Sequence, residues 1–177
     1  MGGSIVSTVA SGPHGECNEE DKDNWNRVIK SIKALVVVDV VEGTALEALP
    51  KMTQILKNRP ISFPSIESVI QWTIQSNLVK NLSSAKVSVP PQVELNEELN
   101  EYIWRTDLLA SEPYWKSWFE GLSSKFLSSK VPKMLILAGT DRLDTELTIA
   151  QMQGKYQLVV LPTCGHCIQE DVNIIKI

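Results

Sequence analysis

Three short apolar runs, the first of them rich in β-branched residues, interrupt an otherwise mixed chain. They occupy residues 34–40, 133–138 and 158–161. Continuous apolar runs of this kind are typical of strands buried on both faces, as in parallel sheets. Helical patterns separate the runs, and strands that alternate with helices indicate an α/β architecture. The sequence therefore predicts parallel strands joined by crossover helices.

The spacing of apolar residues predicts helices in most of the remaining chain. Helices are expected at residues 2–10, 45–57, 65–75, 101–109, 113–127 and 147–153. Pro50 falls inside the second of these patterns. A proline there would kink the helix, at a cost of about 3 kcal/mol, or mark its end. The polar segment 15–26 and the proline-containing segment 88–98 are expected to be loops.

The stretch between the first two predicted strands is longer than an ordinary crossover connection. It predicts a helical cap, inserted at roughly residues 58–130, within a single α/β domain. The chain has 177 residues, and 43% of them are hydrophobic. This length and composition are sufficient for one buried core.

Composition and charge narrow the possible partners. The net charge of −4 disfavours non-specific binding to nucleic acid, because such binding needs a basic face. No apolar run approaches the roughly 20 residues of a membrane-spanning helix. The cysteines, at positions 17, 164 and 167, are too few for a disulfide scaffold and suit a reducing compartment. We therefore expect a cytoplasmic or nuclear protein without a nucleic-acid or membrane partner.

Three side chains that could carry chemistry follow the predicted strands. Asp39 ends the first strand, Asp141 follows the second, and His166 follows the third. In open α/β sheets, functional residues lie just beyond the carboxyl ends of the strands. An acid followed by a histidine suits the later members of a Ser–Asp–His hydrolase triad. The alternative is that the aspartates only cap a helix or a turn.

Several longer segments resemble the family of protein phosphatase methylesterases. They are residues 38–46 (VDVVEGTAL), 114–123 (YWKSWFEGLS), 138–144 (AGTDRLD), 147–155 (LTIAQMQGK) and 164–171 (CGHCIQED). The likeness runs from Met1 nearly to the end of the chain, apart from residues 12–33. It implies an α/β-hydrolase fold. It also implies an enzyme that removes the methyl ester from the C-terminal leucine of the protein phosphatase 2A catalytic subunit, with no metal or organic cofactor.

The resemblance also implies roles for individual residues. The family's triad acid lies in its D-V-V-E-G segment and its histidine in its C-G-H segment, which here are Asp39 and His166. Asp141 is a rival acid, because many α/β-hydrolases place theirs after the strand that it follows. The family pattern favours Asp39, with Asp141 and Asp144 shaping the loop near the histidine. Glu42, which lies close to Asp39, has no assigned role.

We expect the nucleophile to lie outside the 177 residues. The family's serine occupies a strand-to-helix turn, G-H-S-M-G-G, and this chain begins at Met1 with the last three residues of that motif. No G-x-S-x-G pattern occurs in the sequence. The resemblance therefore implies the C-terminal part of a single hydrolase domain, inactive alone. The alternative is a non-catalytic fragment or truncated isoform that binds the phosphatase without demethylating it.

Two further features allow alternative interpretations. Cys164 and Cys167 match a C-x-x-C redox motif, but that chemistry needs a thioredoxin-like context with further strands to follow. Zinc binding by the same cysteines would also require His14 and Cys17, from a distant polar loop.

The tryptophans could line a groove for an extended peptide, although packing in the core is their commoner role.

Overall fold

The predicted parallel strands are present and form one sheet. Among the described residues, 2–12, 18–139 and 143–172, the strands of the computed structural model are β1 (Leu35–Val38), β2 (Ser62–Phe63), β3 (Val93–Asn96), β4 (Glu101–Trp104), β5 (Lys133–Leu137) and β6 (Gln157–Val160). Strands β1, β5 and β6 are parallel and hydrogen-bonded in that order. The register pairs Val37 with Leu135 and Leu135 with Leu158. The predicted α/β architecture is therefore confirmed.

Helices occupy most of the chain between the strands. They are α1 (Gly2–Ser11), α2 (Glu19–Ser31), α3 (Glu42–Lys57), α4 (Ile66–Gln75), α5 (Leu82–Ser88), α6 (Glu112–Phe119), α7 (Leu122–Ser128), α8 (Thr145–Met152) and α9 (Ile168–Asp171). Helix α4 begins as its sequence predicts, because the Ser65 hydroxyl accepts the backbone N–H of Ser68 at 3.2 Å. In the part of the chain that is described, no helix combines the length and the apolar character needed to cross a membrane.

Contacts within the chain divide it into two units. The first unit comprises Met1–Leu49 and Tyr114–Leu161, and the second comprises Pro50–Pro113 and Pro162–Ile177. The first of the three boundaries along the chain falls inside α3, at the proline that the sequence singles out. Helix α3 continues through this proline, so Pro50 does not mark a helix end.

The first unit is built around the parallel sheet. Helices α1, α7 and α8 supply apolar side chains to its core. Its buried members are Ala10, Leu35, Val37, Val41, Phe126, Leu135, Leu137, Leu147, Ala150 and Tyr156. Burying one such large apolar side chain contributes about 1.5 to 3 kcal/mol.

Only one face of β1 is covered by the described residues. Leu35 and Val37 are buried, whereas Val36 and Val38 are 47% and 39% exposed. Successive side chains along a strand point to opposite faces, so the exposed pair lies on the face away from the core. Within the described residues, the expected burial of β1 on both faces is therefore wrong.

The second unit contains its own sheet and its own core. Strands β2, β4 and β3 are antiparallel and hydrogen-bonded in that order. The core is formed by Phe63, Val69, Val79, Ala85, Val89 and Val93, with Ile70, Trp72, Ile74, Tyr102, Trp104 and Cys167 packed against it. Phe63, Trp72 and Trp104 make pairwise ring contacts, with centroids 5.4 to 5.9 Å apart.

The antiparallel sheet corrects two predictions. Segment 88–98, expected to be a loop, contains β3, and segment 101–109, expected to be a helix, contains β4. Tyr102, Ile103 and Trp104 are residue types that favour strands, and β4 pairs with both β2 and β3. Between β3 and β4, the Asn96 side chain accepts the backbone N–H groups of residues 98 and 99. Pairing between separated segments therefore outweighed the local helical spacing.

The acidic segment before β1 corrects a third prediction. Residues 15–26 were expected to be a loop, but α2 begins at Glu19, and residues 13–17 lie outside the described part. The Asn18 side chain accepts the backbone N–H of Asp21 at 2.7 Å and caps the helix. Charged residues are compatible with a solvent-exposed helix once its first turn is capped.

Candidate active site

Asp39 is fixed at the carboxyl end of β1. Its backbone N–H donates to the carbonyl of Ile136 at 2.7 Å, and its Oδ1 accepts the N–H of Ala138 at 2.9 Å. Both partners belong to β5 or directly follow it. Asp39 is only 5% exposed, and its φ of +50° lies in the left-handed region that few residues other than glycine adopt. Such backbone conformations cluster at functional sites.

Glu42, three residues further on, caps α7. Its Oε1 accepts the N–H of Gly121 at 2.8 Å, and its Oε2 accepts the N–H of Ser123 at 3.0 Å. These N–H groups belong to the start of α7, where backbone donors have no partner within the helix. A carboxylate also interacts favourably with the helix dipole at this end. Glu42 therefore connects the segment after Asp39 to α7.

Asp144 extends this connection to α8. One carboxylate oxygen accepts the N–H of Leu147 at 2.9 Å and thereby caps α8, and the other accepts the Ser123 hydroxyl at 2.6 Å. The rival acid, Asp141, lies outside the described residues. Its assignment as an alternative to Asp39 stays a prediction.

His166 lies in the loop between β6 and α9. The side chain of His166 is exposed, whereas Cys164 and Ile168, on either side of it, are 6% and 0% exposed. The loop thus buries a side chain on each side of the histidine and leaves the imidazole accessible. An accessible imidazole is what proton transfer to a substrate requires.

Asp171 fixes the backbone next to His166. Its Oδ2 accepts the N–H of Gly165 at 2.7 Å. Its Oδ1 accepts the N–H of Lys80 at 2.7 Å and that of Asn81 at 3.3 Å. A Cβ atom at Gly165 would lie 2.9 Å from Asp171 Oδ2, so only glycine fits there without displacing the carboxylate.

Glu170 ties the same segment to α5. Its backbone carbonyl accepts the Ser84 hydroxyl at 2.7 Å, and its Oε2 accepts the Ser88 hydroxyl at 2.5 Å. Together, Glu170 and Asp171 join the loop of His166 to the segment from Lys80 to Ser88.

The candidate triad residues lie in different units of the chain. Asp39 belongs to the first unit and His166 to the second. Their pairing therefore stays a prediction, and so does the inserted cap at roughly 58–130.

Sequence reasoning assigned no role to Glu42 and did not mark Asp171. Apart from Gly165, six residues before Asp171, the partners of these carboxylates lie 79 to 91 residues away along the chain. The one local signal for Glu42 is its closeness to Asp39.

The cysteines of the C-x-x-C motif are shielded from solvent to different degrees. Cys164 is buried and Cys167 is partly buried. His14 and Cys17, which the zinc alternative requires, lie outside the described part of the chain. Among the residues that are described, no group of three or more histidine, cysteine or acidic side chains is arranged to hold a metal ion.

Comparison with known proteins identifies close sequence relatives. The probable protein phosphatase methylesterase 1 of Caenorhabditis elegans is 55% identical over 148 residues, which cover 84% of this chain and 40% of the relative. Protein phosphatase methylesterase 1 of Yarrowia lipolytica is 56% identical over 137 residues, which cover 77% of this chain and 33% of the relative. The chain thus spans well under half the length of these curated relatives.

The fold and the family are shown by two further matches. An esterase of M. tuberculosis superposes with a TM-score of 0.56 at 17% identity, over 96% of this chain and 55% of the esterase. At that identity the likeness shows the fold alone. The family model described as the alpha/beta hydrolase family matches residues 1–173. The chain therefore belongs to the alpha/beta hydrolase family, and the predicted resemblance to protein phosphatase methylesterases is confirmed.

Proposed function

We propose that this chain is the C-terminal part of a serine carboxylesterase. Its substrate would be the methyl ester on the C-terminal leucine of a protein phosphatase 2A catalytic subunit. The similarity to named methylesterases, up to 56% identity, is the observation that carries the proposal. The buried and hydrogen-bonded position of Asp39 at the end of β1 supports it.

The proposed mechanism assigns one task to each group. A serine upstream of Met1 attacks the ester carbonyl, and His166 accepts its proton. Asp39 orients the imidazole and stabilises its charged form. His166 then gives the proton to the departing methoxide, so that methanol leaves, and water releases the acyl group from the serine by the reverse sequence of proton transfers.

The 177 residues on their own are expected to hydrolyse no methyl ester. None of them forms the G-x-S-x-G turn that exposes a nucleophilic serine. Removing the nucleophile of a serine hydrolase lowers kcat by about a million-fold. We propose that the chain acts only when joined to the upstream segment of the domain.

We also propose that the second unit forms part of the inserted cap. This unit carries its own core and its own antiparallel sheet, as an inserted subdomain should.

Methanol release from a synthetic peptide that ends in leucine methyl ester tests the function. A longer chain that carries the upstream residues should release methanol, whereas residues 1–177 alone should not. In the longer chain, Asp39→Asn should lower kcat by about ten-thousand-fold. Asp23→Asn, an exposed change on α2, is the matched control and should have no effect.

Two outcomes would contradict the proposal. If the longer chain released no methanol, the esterase function would be wrong, and binding of the phosphatase without demethylation would be the better interpretation. If Asp39→Asn kept full activity while Asp141→Asn abolished it, the triad acid would be Asp141.

A further inference from the structure

A wide groove crosses the surface of the second unit. Its cavity volume is about 460 Å³, within the range of ligand-binding sites. Three large apolar side chains that line it are solvent-exposed: Ile61 by 86%, Leu99 by 60% and Leu108 by 43%. Neighbouring exposed apolar side chains of this size often mark an interaction site.

Arg59 lies in this groove in a fixed orientation. Its guanidinium carbon is 3.2 Å from the centroid of the Trp104 ring, so the cation lies on the ring face. The Trp104 indole N–H donates to the carbonyl of Pro60 at 2.8 Å. Phe63 and Trp72 also contact the Trp104 ring, in edge-type arrangements with centroids 5.4 and 5.7 Å away. The aromatic core therefore holds the guanidinium in place without any contribution from a ligand.

The charge of Arg59 has no anionic partner among the described residues. Its Nε is buried and makes no hydrogen bond there, and burial lowers the pKa of the side chain from its ordinary value. Asp107 also lines the groove and accepts the N–H of Leu109 at 2.9 Å, and within the described structure it forms no ion pair with Arg59. Removing a cation from water without pairing it is unfavourable. An anion bound at the groove would compensate this cost.

Arg105 shows the contrast within the same unit. Its Nε donates to the carbonyl of Val93 at 2.9 Å, and its guanidinium lies 3.6 Å from a Glu94 carboxylate oxygen. Arg105 thus makes both a hydrogen bond and an ion pair, whereas the contact of the Arg59 guanidinium is with the face of the Trp104 ring.

We propose that this groove binds an acidic, apolar peptide segment of a partner protein. A carboxylate of the segment pairs with Arg59, and adjacent apolar side chains pack on Ile61 and Leu99. Sites for small molecules usually bury 70–90% or more of the ligand, and a groove wall as exposed as Ile61 does not enclose one. The proposal concerns a surface of the second unit only and does not depend on the proposed esterase function.

Peptide selection tests the proposal on the 177-residue chain itself. A random heptapeptide library displayed on phage is selected against the chain, and enriched peptides are measured by fluorescence polarisation as fluorescein-labelled probes. We expect enriched sequences to place Asp or Glu beside Leu, Ile or Phe. Replacing that acid by its amide should weaken binding by about tenfold or more.

Variants of the chain locate the binding. Ile61→Ser and Arg59→Gln should each weaken the selected peptides by about tenfold, and circular dichroism verifies folding. Arg59→Gln removes a group that packs on Trp104, so Ile61→Ser provides a second test that does not depend on that contact. Ile61 is largely exposed, and its substitution leaves the core intact. The matched controls are Val87→Ser, at a site that is 76% exposed in the same unit, and Arg27→Gln on α2. Both should bind as the unchanged chain does.

Three results would overturn the proposal. They are the absence of any enriched peptide, enrichment of sequences without an acid, and binding that Ile61→Ser leaves unchanged.

Discussion

Glu42 shows at the scale of a single residue how the candidate site is supported. Both of its carboxylate oxygens accept N–H groups from the first turn of α7, and it lies three residues beyond Asp39. A side chain in this position affects both the stability of α7 and the course of the chain after β1.

Replacing Glu42 by Gln should destabilise the chain by about 1 to 2 kcal/mol. The amide keeps one acceptor oxygen. Its NH₂ group, however, faces a backbone N–H from which it cannot accept a hydrogen bond. Urea unfolding measures the loss, and Glu47→Gln on the exposed side of α3 is the control. Equal midpoints for the two variants would contradict the capping role.

Tyr156 is a second residue whose environment has a measurable consequence. It is 7% exposed, its hydroxyl donates to the carbonyl of Leu147 at 3.1 Å, and its ring packs edge-on against Phe126. Burial raises the pKa of Tyr156, and the nearby charge of Asp144 raises it further. The folded chain therefore keeps a proton that the unfolded chain loses near pH 10.

The sign of the pH dependence follows from that difference. Above about pH 10 the unfolded state binds fewer protons than the folded state, so stability falls as the pH rises. Unfolding by urea at pH 7 and pH 10.5 should show this loss, and Tyr156→Phe should reduce it. Tyr114→Phe, at a site that is 61% exposed, should not. Identical pH slopes for the unchanged chain and Tyr156→Phe would contradict the raised pKa.

At the scale of elements, the loop of His166 depends on α9 and the start of α5. Asp171 accepts three backbone N–H groups, one beside the histidine and two from Lys80 and Asn81. A carboxylate is the side chain suited to this position, because it only accepts hydrogen bonds. The placement of the candidate base therefore depends on a residue to which the proposed mechanism assigns no step.

Asp171→Asn should loosen this loop without unfolding the chain. Amide hydrogen exchange at Gly165 and Lys80 should become about tenfold faster, because one accepting oxygen is replaced by a donor. Exchange in β5 should stay slow. Asp107→Asn, which affects a local turn in the same unit, is the control. Unchanged protection of the Gly165 amide in Asp171→Asn would contradict the proposed restraint.

At the scale of the whole molecule, β1 presents an exposed apolar face on an outer strand. Val36 and Val38 point away from the core, and β1 has β5 as its sheet neighbour within the described residues. Exposed apolar outer strands promote association between chains. The Caenorhabditis elegans and Yarrowia lipolytica relatives are more than twice as long as the part of them that the chain covers.

Val36→Lys should therefore lower aggregation of the 177-residue chain. A lysine on the exposed face of an outer strand opposes pairing with another chain and leaves the core unchanged. Light scattering at increasing concentration measures the effect. Val37→Lys, one position along and 3% exposed, should instead unfold the chain, because it buries a charge. Scattering by Val36→Lys equal to that of the unchanged chain would argue against association through this face.

Local patterns were sufficient for much of the fold. The apolar runs predicted β1, β5 and β6, because short apolar segments favour strands that pack into a core. Ser65 predicted the start of α4 for an equally local reason. The resemblance of the segments around Asp39 and His166 to the methylesterase family singled out both residues.

The remaining features depend on contacts between residues that are far apart in sequence. Strands β3 and β4 form because each finds a partner, and the local spacing of β4 alone favours a helix. Glu42, Asp171 and Arg59 acquire their surroundings from segments that only the folded chain brings near. The sequence by itself determined the parallel strands and the two side chains, Asp39 and His166, that the proposed mechanism uses. The tertiary structure decided from which backbone N–H groups the carboxylates accept hydrogen bonds and which arginine keeps an unpaired charge. The reason is that hydrogen bonds and ion pairs depend on the distances between segments that are far apart in sequence.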